Sequence, residues 1–231
     1  MLFLSGRLVI LSTLSFIVTK ASSIRCLVTA GPTREWLDPV RFLSNPSTGK
    51  MGFAVVDAAL ERGWKVDLIS GPVTLEVKHG VRQTFVETAD EMFAACLDIF
   101  TSCDFILMAA AVCDHKPALV AKRKLKKGEI SSFLELEQTP DILAELGRRK
   151  ASGQKLVGFA AETNDCLVNG ERKLLEKNLD WIVVNDVSLP EGGFASDLNK
   201  VTLLGRNGEV VPIDIAPKLE VARILLERID S

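Results

Sequence analysis

Three groups of residues in this chain have the types and spacing to handle negative charge. The run Asn45-Pro46-Ser47-Thr48-Gly49-Lys50 combines small side chains, hydrogen-bonding groups and one ammonium, and it stands where helical spacing begins. A helix start presents unpaired backbone N–H groups and a partial positive charge, so a loop of this composition suits an anion. Residues 116–127, KPALVAKRKLKK, carry six basic residues and no acid, shortly after Asp114. Runs of this kind are usually solvated loops, but this one follows the most apolar strand of the chain, where an α/β sheet presents its ligands. Polyphosphate is the ligand that would need so much positive charge. Lys173 and Lys177 stand four apart on a predicted helix and therefore share one face.

Other chemistries find less support. TAGPTRE has one glycine where a dinucleotide fingerprint needs three, and STGKMG lacks both the upstream glycine and the following Ser or Thr of a P-loop. On spacing alone, Gly31 and Gly49 read equally well as turn punctuation. No Ser-His-Asp order or nucleophile elbow is visible, which leaves a covalent enzyme intermediate without support. His79 and His115 have no partner His or Cys at ligand spacing, so a metal site made by the protein alone is not expected. A magnesium ion carried in by a triphosphate stays open, since phosphates and one or two carboxylates hold that ion. Five cysteines, Cys26, Cys96, Cys103, Cys113 and Cys166, are odd in number and widely spaced, which argues against a disulfide framework and fits reduced thiols in the cytoplasm. The net charge of -2 gives no global field toward nucleic acid or acidic membranes, and no aromatics interleave the lysines.

The elements that must position these residues alternate. IRCLVTAG, KVDLIS, VRQTFVE, DFILMAAAV, SSFLELE, KLVGFAAE and DWIVVND read as strands. Helices fall between them: one after residue 49 stopped by Gly63, one with a Thr88/Glu91 capping box, one opened by Thr139-Pro140 and one running through Lys177. Asn207-Gly208 between KVTLLGR and EVVPID predicts a hairpin with a type I′ turn, and a last helix is expected over residues 216–229. The pattern predicts an α/β domain over residues 24–231: an open, mostly parallel twisted sheet, helices on both faces and a late antiparallel hairpin. Residues 1–23 form an apolar arm whose run from Leu8 to Val18 has the outline of a signal peptide but about half the length of a membrane span. An over-extended start site or an accessory arm is the reading preferred over export, and no membrane association is expected.

Taken together, GPTREWLDPVRFLSNPSTGKMG, MAAAVCDHKP, KRKLKK, TPDIL, VGFAAET and EKNLDWIVVNDVS resemble the phosphopantothenate-cysteine ligase family, in that family's order, across residues 24–229. The resemblance implies a Rossmann-like fold and a homodimer. It implies CTP as co-substrate with Mg2+, and 4′-phosphopantothenate and L-cysteine as the molecules joined, through an acyl-cytidylate, in coenzyme A biosynthesis. It also implies a free-standing bacterial-type ligase with the phosphopantothenoylcysteine decarboxylase encoded separately.

Position by position, the resemblance places Asn45 on the activated acyl intermediate and Lys124 on the nucleotide phosphates, both as catalytic residues. It gives the nucleotide Met108, Ala109, Ala110, Asp114, Pro140, Asp141, Ile142, Leu143, Phe159, Lys173 and Lys177. Ser47, Thr48 and Gly49 join Asn45 around the acid substrate. Pro46 and Thr48 stand where bacterial relatives commonly carry arginine and serine, and Trp36 replaces a usual proline. CTP fits the KLKK and SN motifs, with ATP the alternative. Two other classes stay open on the residues alone: a nicotinamide-dependent reductase, and a catalytically silent nucleotide-binding protein.

Overall fold

The computed structural model describes residues 23–129, 132–186 and 196–231. The apolar arm lies outside the described residues, save Ser23. In chain order the elements begin with β1 (Arg25–Ala30), the hairpin β2 (Arg34–Asp38) and β3 (Arg41–Ser44), then α1 (Lys50–Glu61), β4 (Lys65–Ser70), β5 (Arg82–Phe85), α2 (Ala89–Ile99) and β6 (Phe105–Met108). They continue with β7 (His115–Pro117), β8 (Leu136–Gln138), α3 (Ile142–Arg149), β9 (Lys155–Glu162), α4 (Cys166–Glu176), β10 (Trp181–Asp186), β11 (Leu198–Gly205), β12 (Val210–Pro217) and α5 (Lys218–Ile229).

Eight strands form one sheet in the order β12-β11-β10-β9-β6-β1-β4-β5. Pairings from β5 across to β10 are parallel, and the β10–β11 and β11–β12 pairings are antiparallel. The chain leaves β1 toward β4 and β5, then returns to the other side of β1 as β6. That reversal opens a crevice at the carboxyl ends of the strands. Successive strand side chains face opposite ways, so the apolar runs of β1 and β6 feed two cores at once. Cys26, Val28, Phe105 and Leu107 pack with α1 and α5, whereas Leu27, Ile106 and Met108 pack with α2, α3 and α4. Each fully buried leucine, such as Leu27 or Leu107, contributes about 1.5–3 kcal/mol. Two smaller two-stranded sheets, β2–β3 and β7–β8, stand outside this layered body.

Several sequence expectations hold, among them the Thr88/Glu91 capping box and the bounds of the strands β4 and β9. Others need correction. The strand read through residue 112 stops at Met108, because the next residues bond to the continuation of β1: Ala110 N–H donates to Thr29 Oγ1 at 3.1 Å and Ala111 N–H to the Gly31 carbonyl at 2.9 Å. Of SSFLELE only Leu136 and Glu137 are strand, in β8, which runs on to Gln138, and its first serine lies outside the described residues. The α3 cap is Asp141, whose Oδ1 accepts Ala144 N–H at 3.0 Å; Thr139 Oγ1 instead donates to the Cys113 carbonyl at 2.6 Å. Residues 216 and 217 finish β12, so α5 begins at Lys218.

The β11–β12 turn is not type I′. Gly208 N–H donates to the Gly205 carbonyl, and of the two residues expected at positive φ only Gly208 (φ 85°) has it. A three-residue loop with glycine in the left-handed position satisfies the same Asn-Gly signal.

Candidate active site

A cavity of about 700 Å³ opens over the carboxyl ends of β1, β6, β9 and β10 and the start of β11. Its floor comprises Thr29, Met108 to Val112, Phe159 to Ala161, Asn185 and Asn199. One wall is the start of α1 and of α5; the other is the start of α3 with the α4 lysines. It therefore draws on both helix layers.

Asn45 sets the geometry at the centre. Its Nδ2 donates to the carbonyls of Ala111 and Val112, each at 3.1 Å, and this locks the loop after β3 to the turn after β6. Thr33 reinforces the same turn, its Oγ1 accepting Cys113 N–H at 3.0 Å. Beside Asn45, Gly49 has φ 80°, and a Cβ there would lie 2.9 Å from Val73 Cγ1. Only glycine adopts that conformation without strain at such contact. Gly49, as the cap, gives no side-chain hydrogen bond to the first turn of α1, which begins at the cavity wall.

Four lysines line the cavity. Lys173 Nζ lies 2.7 Å from Glu162 Oε1, Lys177 Nζ 2.9 Å from Asp141 Oδ2, and Lys50 Nζ 2.7 Å from Asp197 Oδ1. Lys50 holds the Asp197 carboxyl below its ordinary range. Asp141 both caps α3 and grips Lys177, so the helix start and the lysine are fixed together. The fourth, Lys218, is buried and donates to the carbonyls of Ser196 and Leu198.

Most of the residues named from sequence meet here. Asn45, Ser47, Gly49, Met108, Ala109, Ala110, Asp114, Pro140, Asp141, Ile142, Leu143, Phe159, Lys173 and Lys177 all line the one cavity. Thr48 does not line it, although its neighbours Ser47 and Gly49 do. Lys124 does not line it either and is exposed. The reason is a clamp at the adjoining residue. The buried Asp38 carboxylate accepts N–H groups from Val40 (2.9 Å), Arg41 (3.0 Å) and Leu125 (3.2 Å) and pairs with the Arg41 guanidinium. Arg41 Nη2 in turn donates to the Leu125 carbonyl at 2.8 Å. The basic segment is thereby pinned to the β2–β3 hairpin, and Arg41 leads the groups that hold the Asp38 carboxyl far below the usual carboxylate range.

Sequence reasoning missed Thr29, Asn185, Asn199 and Lys218 as cavity residues. Thr29 and Asn185 had a signal, a polar residue near the carboxyl end of an apolar strand. Lys218 had none, because its place depends on α5 packing against α1. Among the described residues no group of three or more His, Cys, Asp or Glu could hold a metal ion. Asp114 and Asp141 at the cavity fit at most a cation that arrives already held by phosphates.

A family model described as the DNA/pantothenate metabolism flavoprotein C-terminal domain matches residues 21–231. The chain belongs to that family. The coenzyme A biosynthesis bifunctional protein CoaBC of Bacillus subtilis is 45% identical over 204 residues, covering 88% of this chain and 50% of that protein. The crystal structure of the C-terminal domain of a protein of the same name has 40% identity and a TM-score of 0.77, covering 90% of this chain and 94% of that one. A Cab2 mutant in complex with phosphopantothenate-cysteine shares the fold alone, at 17% identity and a TM-score of 0.72, covering 90% of this chain and 86% of that one. The chain spans about half the length of the curated relatives it matches. Among the described residues of this family domain, no helix is long and apolar enough to cross a membrane.

Proposed function

We propose that this domain is a phosphopantothenate-cysteine ligase acting in coenzyme A biosynthesis. The observation that carries the reading is the single cavity that gathers Asn45, the backbone after β6, the start of α3, Phe159, Lys173 and Lys177. The names of the CoaBC relatives and of the ligand held by Cab2 support the same substrates.

A carboxylate resists attack by an amine because oxide would have to leave. In the proposed reaction one carboxylate oxygen of 4′-phosphopantothenate attacks the α-phosphorus of CTP, and pyrophosphate departs. The acyl-cytidylate so formed has CMP as its leaving group. The amine of L-cysteine attacks the acyl carbon, a C–N bond replaces the C–O bond, the nitrogen loses a proton and CMP leaves. Nothing in this sequence requires an enzyme nucleophile; it requires positioning and stabilisation of developing charge. Asn45, with both amide hydrogens engaged by Ala111 and Val112, presents its Oδ1 in a fixed orientation to the acyl group. Lys173 and Lys177 take the nucleotide, and Asp114 and the 108–110 backbone take its base.

Lys124 reaches the phosphates from a second copy of the chain or after its segment moves. A homodimer is supported by the apolar side chains exposed on and beside the two small sheets, among them Val40, Phe42, Leu119 (84% exposed) and Leu136. Magnesium enters with the triphosphate, where it would neutralise phosphate charge.

Incubating the protein with 4′-phosphopantothenate, L-cysteine, Mg2+ and CTP or ATP tests the reading. Release of CMP and pyrophosphate with amide formation is expected. Hydride transfer from a nicotinamide, or nucleotide binding with no turnover of either nucleotide, would overturn it.

A further inference from the structure

The four cavity lysines are not equivalent. Lys50, Lys173 and Lys177 each engage a carboxylate, so an anion reaching any of them must compete with one already present. Lys218 is held by backbone carbonyls alone, and among the described residues no carboxylate bridges it. It is 6% exposed, yet it lines an open cavity. Burial and the nearby Lys50 ammonium pull its pKa below the ordinary lysine value, with Asp197 opposing them. A buried ammonium without a counter-ion is costly, and the cost falls when an anion arrives. Asn185 and Asn199 line the same cavity; Asn199 Nδ2 contacts Met51 Sδ at 3.6 Å, a weak acceptor that a tetrahedral oxyanion would replace.

We propose that the end of the cavity formed by Lys50, Lys218, Asn185 and Asn199 is a phosphate-binding subsite, with Lys218 as the ammonium that meets the anion. Lys50 then exchanges Asp197 for the same group. The two lysines of the subsite stand on the α1–α5 wall, across from Lys173 and Lys177, with Asn185 and Asn199 on the floor between, so the cavity holds phosphate groups from two sides. The phosphate belongs either to the polyphosphate of a nucleotide or to a phosphorylated acid. The second source rests on the ligase reading; the subsite itself does not.

Calorimetric titration with inorganic pyrophosphate and, separately, with 4′-phosphopantothenate distinguishes the sources, using wild type and Lys218→Met, which keeps the side-chain reach without the charge. Affinity for one probe is expected to fall at least tenfold: pyrophosphate if the nucleotide supplies the anion, phosphopantothenate if the acid does. Equal affinities in wild type and a folded Lys218→Met, or no binding of either probe to wild type, overturn the subsite. If Lys218→Met does not fold, Lys50→Gln carries the same comparison, and unchanged affinities there overturn it equally. Loss of ligase activity in every assay alongside Lys218-dependent pyrophosphate binding would remove the ligase reading and leave the subsite standing.

Discussion

The Asp38 carboxylate accepts the backbone N–H of Leu125 at 3.2 Å, across 87 residues of chain. With Arg41 holding the Leu125 carbonyl, this one contact decides where the basic segment leaves the hairpin, and so where Lys124 starts. Position in this domain is set by short polar tethers of this sort as much as by the sheet.

Replacing Asp38 by asparagine removes the charge that faces Arg41 and is expected to lower stability at neutral pH. The folded carboxyl lies below its ordinary value, so its stabilisation is present above about pH 4 and fades as pH falls from there toward the folded pKa. Urea unfolding of both proteins between about pH 7 and pH 2 should show a difference that shrinks only in acid. A gap independent of pH would contradict the ionic role.

Asn45→Asp places a carboxylate where a donor now faces two carbonyls, at 3.1 Å each. Losing both bonds costs about 1–3 kcal/mol and loosens the turn after β6. Turnover to amide is expected to drop by roughly 10²-fold, in the range seen when a positioned polar group is removed. Quenched-flow measurement should still detect pyrophosphate release, because nucleotide activation begins without the amide. Wild-type kcat in this variant would remove Asn45 from the reaction.

Lys124→Gln and Lys177→Gln separate two kinds of contact. Lys177 lines the cavity, so its loss should raise the nucleotide KM about tenfold, or about 1.4 kcal/mol, with a smaller effect on kcat. Lys124 does not line it, so its loss should lower kcat strongly and leave nucleotide affinity nearly unchanged. Steady-state kinetics with varied CTP reads both, and the reverse pattern would exchange their roles.

Gly49→Ala forces a side chain into φ 80° with a methyl 2.9 Å from Val73 Cγ1. A cost of about 1–3 kcal/mol is expected from the conformation. Gly49→Ala combined with Val73→Ala should recover the steric part and leave the conformational part. Chemical denaturation of the single and double variants measures both; full recovery would show that strain at Gly49 is negligible.

Much of this domain was legible in its residues. A continuous apolar strand such as the FILM run carries an unambiguous signal because both faces are buried, KVDLIS is buried over all but its first residue, and the capping box at Thr88 is a local device. The α3 start was misplaced by two residues because Thr139 and Asp141 are both good caps, and a tertiary bond to Cys113 claims the threonine. The same limit hid where Lys124 would sit. Nothing near KLKK indicates that Asp38, far upstream, fixes its neighbour. Within the cavity, residues reached through strand ends were readable, whereas Lys218 depends on the packing of two distant helices.

That packing has a consequence for synthesis. Lys50 meets Asp197 across 147 residues, and α5 closes the same wall after the antiparallel turn of β11 and β12 sends the chain back toward the cavity. A ribosome-bound chain that has emerged only through β10 has a floor and one flank but lacks this wall. The pocket is therefore finished only when α5 has docked on α1, so its last side to assemble is made by the most C-terminal element of the described chain.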